Sequence, residues 1–156
     1  YSREFARNYA ADVTLDPYAA EGDDYDDVVT EILRLTGGRG VDVAFEAAGA
    51  RETPEQSAAV ARLGGKVIVA GIPSDDRMTF TASRARRRGL TIKLVRRMKH
   101  TYPRAIRLVQ DGRVDVAALA THQFPLERVD EAFEMVAAYA DGVMRAVIQV
   151  AAESGV

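Results

Sequence analysis

Cysteine is absent from this chain, which excludes disulfides, a thiol nucleophile and any cysteine-ligated zinc site within these residues. Histidine is scarce as well. His100 and His122 are the only two, and neither has carboxylate or cysteine neighbours at ligand spacing, so no metal site is expected. No G-x-G-x-x-G phosphate-binding fingerprint occurs, and without a G-x-S-x-G elbow an esterase reading has no footing. No apolar run approaches the roughly 20 residues that span a bilayer. The opening Tyr1-Ser2-Arg3-Glu4-Phe5 has neither an initiator Met nor a signal-peptide hydrophobic core, which makes the cytoplasm the expected location. Charge of one sign is also lacking. The 21 basic and 23 acidic residues leave a net −2, predicting no strong attraction to nucleic acid or an anionic membrane.

What is present is enough for one ordinary core, or one core with an appendage: 156 residues, 47% of them hydrophobic. The most informative pattern is a pair of apolar segments, Val41-Asp42-Val43-Ala44-Phe45-Glu46-Ala47-Ala48-Gly49 and Gly65-Lys66-Val67-Ile68-Val69-Ala70-Gly71-Ile72. Each contains an Ala-Gly pair at its carboxyl end, with one short helix-like stretch between them. Small residues at strand ends suit the carboxyl edge of a dinucleotide-binding sheet, where a side chain would collide with the bound molecule. With the glycine fingerprint missing, the chain is expected to begin after the main anchor of such a site.

Strands and helices alternate along the sequence. Residues 2–10 read as a helix end, and Asp12–Asp16 as a short strand closed by Pro17. The acidic run Glu21–Asp27 lacks the spacing of a calcium loop and precedes Val28, Val29, Ile32, Leu33 and Leu35 at helical spacing, so it reads as a helix start. Thr36-Gly37-Gly38-Arg39-Gly40 follows a helix and precedes a strand, the reverse of a phosphate loop, and reads as a C-terminal cap. Thr53-Pro54 caps a helix expected to run through Leu63, followed by a strand over Lys66–Ala70. Residues 73–89 read as irregular and basic, Leu90–Val95 as a strand, and Pro103 as the opening of a helix stopped by Gly112. A linker over 113–121 leads to a helix opening at Phe124-Pro125-Leu126-Glu127, and Ala146–Val150 is the last strand. The alternation predicts an α/β parallel sheet with helices on both faces.

Taken in order, LTGGRGVDVAFEAAGA, ARLGGKVIVAGI and THQFPLERVDEAFEMV resemble the C-terminal half of the zinc-dependent medium-chain alcohol dehydrogenases over about residues 2–150. Val95–Pro103 and Thr121–Leu126 look most like the polyol branch, the sorbitol and xylitol dehydrogenases, while threonine dehydrogenases share the T-H-x-F-P-L element. The resemblance implies an incomplete Rossmann-type, doubly wound sheet holding strands 3–6, with a partial dinucleotide-binding domain at 1–112. Residues 113–156 would be the C-terminal segment of the catalytic domain. It further implies that Ala48-Gly49 lies beside the adenosine side of NAD or NADP and Ala70-Gly71-Ile72 beside the nicotinamide ribose. Arg96-Arg97-Met98 would form the loop closing over the nicotinamide end. Arg97 is the closest match there, and an arginine offers a planar donor fork to phosphate or ribose oxygens.

In that family the zinc ligands, proton relay and pyrophosphate loop lie in the N-terminal half. No catalytic or metal residue is therefore assigned here, and zinc is expected in the intact parent only. The implied partners are the nicotinamide cofactor, a small alcohol or polyol, and a second copy meeting along strand 90–95. In the 3-2-1-4-5-6 order of a dinucleotide fold, strand 3 at 12–16 would have no neighbour and strand 4 an open edge. Alone, the chain is expected to oxidise no alcohol and to bind NAD weakly or not at all. Two other readings remain: a non-catalytic dimerisation or scaffolding module of the same fold, and a nucleic-acid binder using the basic residues between Arg84 and Lys99. Against the latter, that block holds no interleaved aromatic and no recognition motif.

Overall fold

The computed structural model describes residues 2–16 and 26–150. In chain order its elements are α1 (Ser2–Tyr9), α2 (Asp26–Leu35), β1 (Val41–Glu46), α3 (Thr53–Val60), β2 (Ala61–Val69), α4 (Ala82–Arg88), β3 (Thr91–Leu94), α5 (Tyr102–Gln110), β4 (His122–Pro125), α6 (Val129–Ala137) and β5 (Ala146–Gln149). They divide into two compact units, Leu15–Lys99 and Tyr1–Thr14 with His100–Val156. No helix among the described residues is long and apolar enough to cross a membrane.

The first unit is built on a three-stranded sheet in the order β1-β2-β3, parallel throughout. This is the α/β arrangement the alternation predicts. Central strand β2 carries the core. Ala61, Val67 and Val69 are buried, and Met78, Phe80 and Leu90 pack against them. Helix α3 brings Ala58, Ala59 and Val60 into the interior, its small side chains allowing close approach to the sheet. The glycines after α2 act as the predicted cap: the Gly38 amide donates to the Leu33 carbonyl at 2.7 Å.

Several expectations are corrected. Residues 12–16 form no strand. Among the described residues no strand forms a ladder with this segment, and a strand needs one; the Thr14 hydroxyl instead accepts from Arg7 at 2.7 Å. Pro17 and the acidic residues 21–25 lie outside the described residues, and α2 begins at Asp26. Helix α3 ends at Val60 rather than passing through Leu63. β2 starts at once with Ala61 opposite Val41, and the next pair is Val43 with Lys66. Residues 62–65 therefore bulge out against Asp42 alone, where Gly64 and Gly65 disfavour helix. Hydrogen bonds from Arg39 and Arg62 clasp this irregularity and hold the Asp42 carboxyl down to about 2.

Thr53 is not the cap of α3, because Glu52 occupies that position. The basic stretch contains helix α4. Its alanines and arginines are strong helix formers, three arginines sit in the last turn against the negative dipole end, and Gly89 closes it in a left-handed conformation (φ 59°).

In the second unit β4 and β5 form a parallel pair, with Phe124 opposite Ile148. The predicted helix opening at Phe124 is in fact strand β4. A 3₁₀ turn over Leu126–Arg128 follows, and α6 begins only at Val129. Pro125 can end this strand because it needs no further ladder amide. Phe124 and Ala132 are buried, and the Arg128 guanidinium lies 5.7 Å from the Phe124 ring centroid. Elsewhere in the unit, the Tyr9 hydroxyl donates to the Asp115 carbonyl and accepts from the Asp115 amide at 3.0 Å.

Candidate functional site

Because β1, β2 and β3 run parallel, their carboxyl ends lie along one edge of the sheet, where open α/β sheets hold their ligands. An open cleft of about 380 Å³ sits at the ends of β2 and β3, lined by Ala70, Gly71, Ile72, Asp76, Leu94 and Arg97 among others. Its size falls within the range of small-molecule sites. Four of the residues singled out from the sequence, Ala70, Gly71, Ile72 and Arg97, thus meet in one place. Among the described residues no ion pair engages Arg97, leaving its donor fork available to an anion or hydroxyl. Arg96 and Met98 are exposed beside it in the chain and do not line the cleft. Asp76, which lines the cleft, is a non-glycine residue held in the left-handed region (φ 53°).

Gly49 lies directly behind this cleft. A methyl group added to it (φ +70°) would sit 2.6 Å from the Ile72 carbonyl oxygen, and one on Gly71 would strike the Glu46 carboxylate and the Gly49 amide. The two Ala-Gly strand ends therefore touch, and only glycine permits it. Ala48 faces away. It lines a separate hollow of about 340 Å³ beside β1, with Val28, Ile32, Val43 and Phe45.

Glu46 went unremarked in the sequence pattern. At 2% exposure it is the one buried charged residue among the described residues. Its Oε1 accepts from the Ala48 amide (2.9 Å), the Gly49 amide (2.7 Å) and the Thr53 hydroxyl (2.8 Å). Burial raises the carboxyl, but the bonds from Gly49, Thr53 and Ala48 more than offset this, so it titrates below the usual glutamate range. The available signal was its alternation with Ala44: both point inward while Val43 and Phe45 point out.

No group of three or more His, Asp or Glu residues that could hold a metal ion occurs among the described residues. His122 faces a single carboxylate, with Nε2 3.3 Å from Asp141.

Comparison with known proteins fits this geometry. The profile of the zinc-binding dehydrogenases matches residues 1–111. An alcohol dehydrogenase of Cupriavidus necator is 36% identical over 149 residues, which cover 94% of this chain and 39% of that protein. Sorbitol dehydrogenase of Bacillus subtilis (strain 168) is 34% identical over 108 residues, 69% of this chain and 31% of the enzyme. A crystal structure of a zinc-binding dehydrogenase from Sinorhizobium meliloti 1021, bound to NADP, superposes with a TM-score of 0.77 at 26% identity, covering 95% of this chain and 42% of that one. The chain thus spans well under half the length of the relatives it matches. Profile, relatives and the parallel α/β sheet agree, and this chain belongs to the zinc-binding dehydrogenase family.

Proposed function

We propose that this chain supplies the nicotinamide-side wall of an NAD- or NADP-binding site in an alcohol or polyol dehydrogenase. The observation that carries this reading is the convergence of Ala70, Gly71, Ile72 and Arg97 on one cleft at the carboxyl ends of parallel strands. The small residues let a flat ring approach the backbone, and the Arg97 fork can donate to ribose or phosphate oxygens. When bound, the cofactor supplies a hydride acceptor. The chain's own residues orient it and hold water away from one face. The Ala48-Gly49 end belongs to the adenosine side in this reading. Its support is the place of both residues just past the carboxyl end of β1, the strand beside β2.

A secondary alcohol or polyol as substrate class is supported by relatives named alcohol dehydrogenase and sorbitol dehydrogenase. The residues described here do not fit a zinc ion, having no cysteine and no cluster of other ligands. Metal and acid–base groups are therefore assigned to the remainder of a longer enzyme, and this chain alone oxidises no alcohol. Self-association along β3 is also part of the proposal. That strand ends the sheet, and all four of its residues are exposed.

Amide NMR of the ¹⁵N-labelled chain titrated with NADH tests the site. The expected result is a dissociation constant on the order of millimolar, with the largest shifts at Ala70, Gly71, Ile72 and Arg97. Shifts centred on the β4–β5 sheet, or none at millimolar NADH, would overturn it.

A further inference from the structure

Resting on the cofactor-wall reading, we propose that Glu46 is a positioning residue that locks the carboxyl ends of β1 and β2 together and thereby fixes the form of the cleft. Five donors converge on this one residue. Its side chain takes the Ala48 and Gly49 amides and the Thr53 hydroxyl, which sets the turn after β1. Its backbone carbonyl takes the Ala70 and Gly71 amides at 2.7 and 3.0 Å, which sets the turn after β2. The second carboxylate oxygen, Oε2, is buried without a hydrogen-bond partner among the described residues. It packs where a side chain on Gly71 would stand, so the carboxylate and the cleft share Gly71 as a common wall.

The chemistry asks for a carboxylate here. Three donors meet at Oε1, and only an acceptor satisfies them all. An amide can present its oxygen to those donors, but its NH₂ must then replace Oε2 against Gly71, where no acceptor waits. Loss of the carboxylate should therefore be felt across the strand boundary, at Ala70–Ile72, and not only in the turn that the side chain binds. A residue acting locally would affect the 48–49 turn alone.

The test is ¹⁵N amide NMR with hydrogen exchange and NADH titration on the 156-residue chain, comparing wild type with Glu46→Gln and Thr53→Val. In Glu46→Gln we expect the Val67 and Val69 amides to keep their positions, showing that the core is intact. The amides of Ala48, Gly49, Ala70 and Gly71 should shift and exchange about tenfold faster, and NADH affinity should fall about tenfold, the scale of one lost bond to a charged group. Thr53→Val removes one donor and leaves the charge, so the same changes should appear at about threefold. It carries the test if Glu46→Gln does not fold. Unchanged Ala70–Ile72 amides together with wild-type NADH affinity in a folded variant would overturn the lock. If wild type itself shows no NADH response at the cleft, the cofactor reading fails, and the amide comparison still decides whether Glu46 couples the strand ends.

Discussion

The three-stranded sheet buries Val67 and Val69 almost completely, whereas the two-stranded sheet rests on one aromatic, Phe124, and one helix alanine, Ala132. A central strand with a neighbour on either side can close both its ladders and offer side chains to two faces. A lone pair of strands has only its covering helix, and α6 leaves Phe133 73% exposed. The same contrast holds for polar groups. The larger sheet buries a carboxylate and satisfies one of its oxygens three times over, while the smaller one keeps its His122–Asp141 pair near the surface. The firmer framework for the proposed ligand wall is therefore the β1–β3 region.

The contrast can be broken at three places. The largest effect is expected from Phe124→Ala, which empties the only buried aromatic of the small sheet and should cost about 3 kcal/mol. Amide spectra should lose the β4 and β5 signals while those of β1–β3 persist; joint loss of both sets would show one cooperative unit. Gly49→Ala comes next, at about 2 kcal/mol by urea unfolding, because it combines a left-handed backbone with a contact against Ile72. It should also displace the Ala70–Ile72 signals, and a neutral result would mean that the strand ends do not press on one another. The smallest change in stability, within about 0.5 kcal/mol, is expected from Leu94→Lys on the open edge of β3. Sedimentation velocity should nonetheless show self-association in wild type and a monomer in the variant; a monomeric wild type removes the edge-pairing proposal.

Much of the larger sheet was legible because its residues obey local rules. Val41–Glu46 reads as a strand, and the glycines after Leu35 read as a cap, and both form as expected. The failures have separate physical causes. Asp12–Asp16 has the look of a strand, but a strand exists only through a partner. The stretch 61–65 continues an alanine-rich helix in composition, yet its backbone is diverted by Gly64 and Gly65 into a bulge against Asp42. Arginine content concealed α4, since charge says where a helix face points and not whether the helix forms. Phe124-Pro125 resembles a helix entry, and only the pairing with β5 makes it a strand.

In the site, Ala70-Gly71 was legible as a small pair at a strand end, whereas Arg97 was reached only through the family resemblance; the cleft at the ends of β2 and β3 brings them together with Ile72. Glu46 was not legible, because a single acid in an apolar strand declares its role only once its donors are seen around it. Asp76 was missed for a similar reason: its place at the rim depends on a turn that composition does not encode.

The central claim is that this chain forms the nicotinamide side of a dinucleotide site. Paired amide-shift titrations with NADH and with ADP, which lacks both the nicotinamide ring and the ribose that carries it, test it most directly. The account predicts that NADH moves Ala70, Gly71, Ile72 and Arg97 while ADP leaves Ala70–Ile72 in place. Equal perturbation of those residues by both ligands, or by neither, would contradict it.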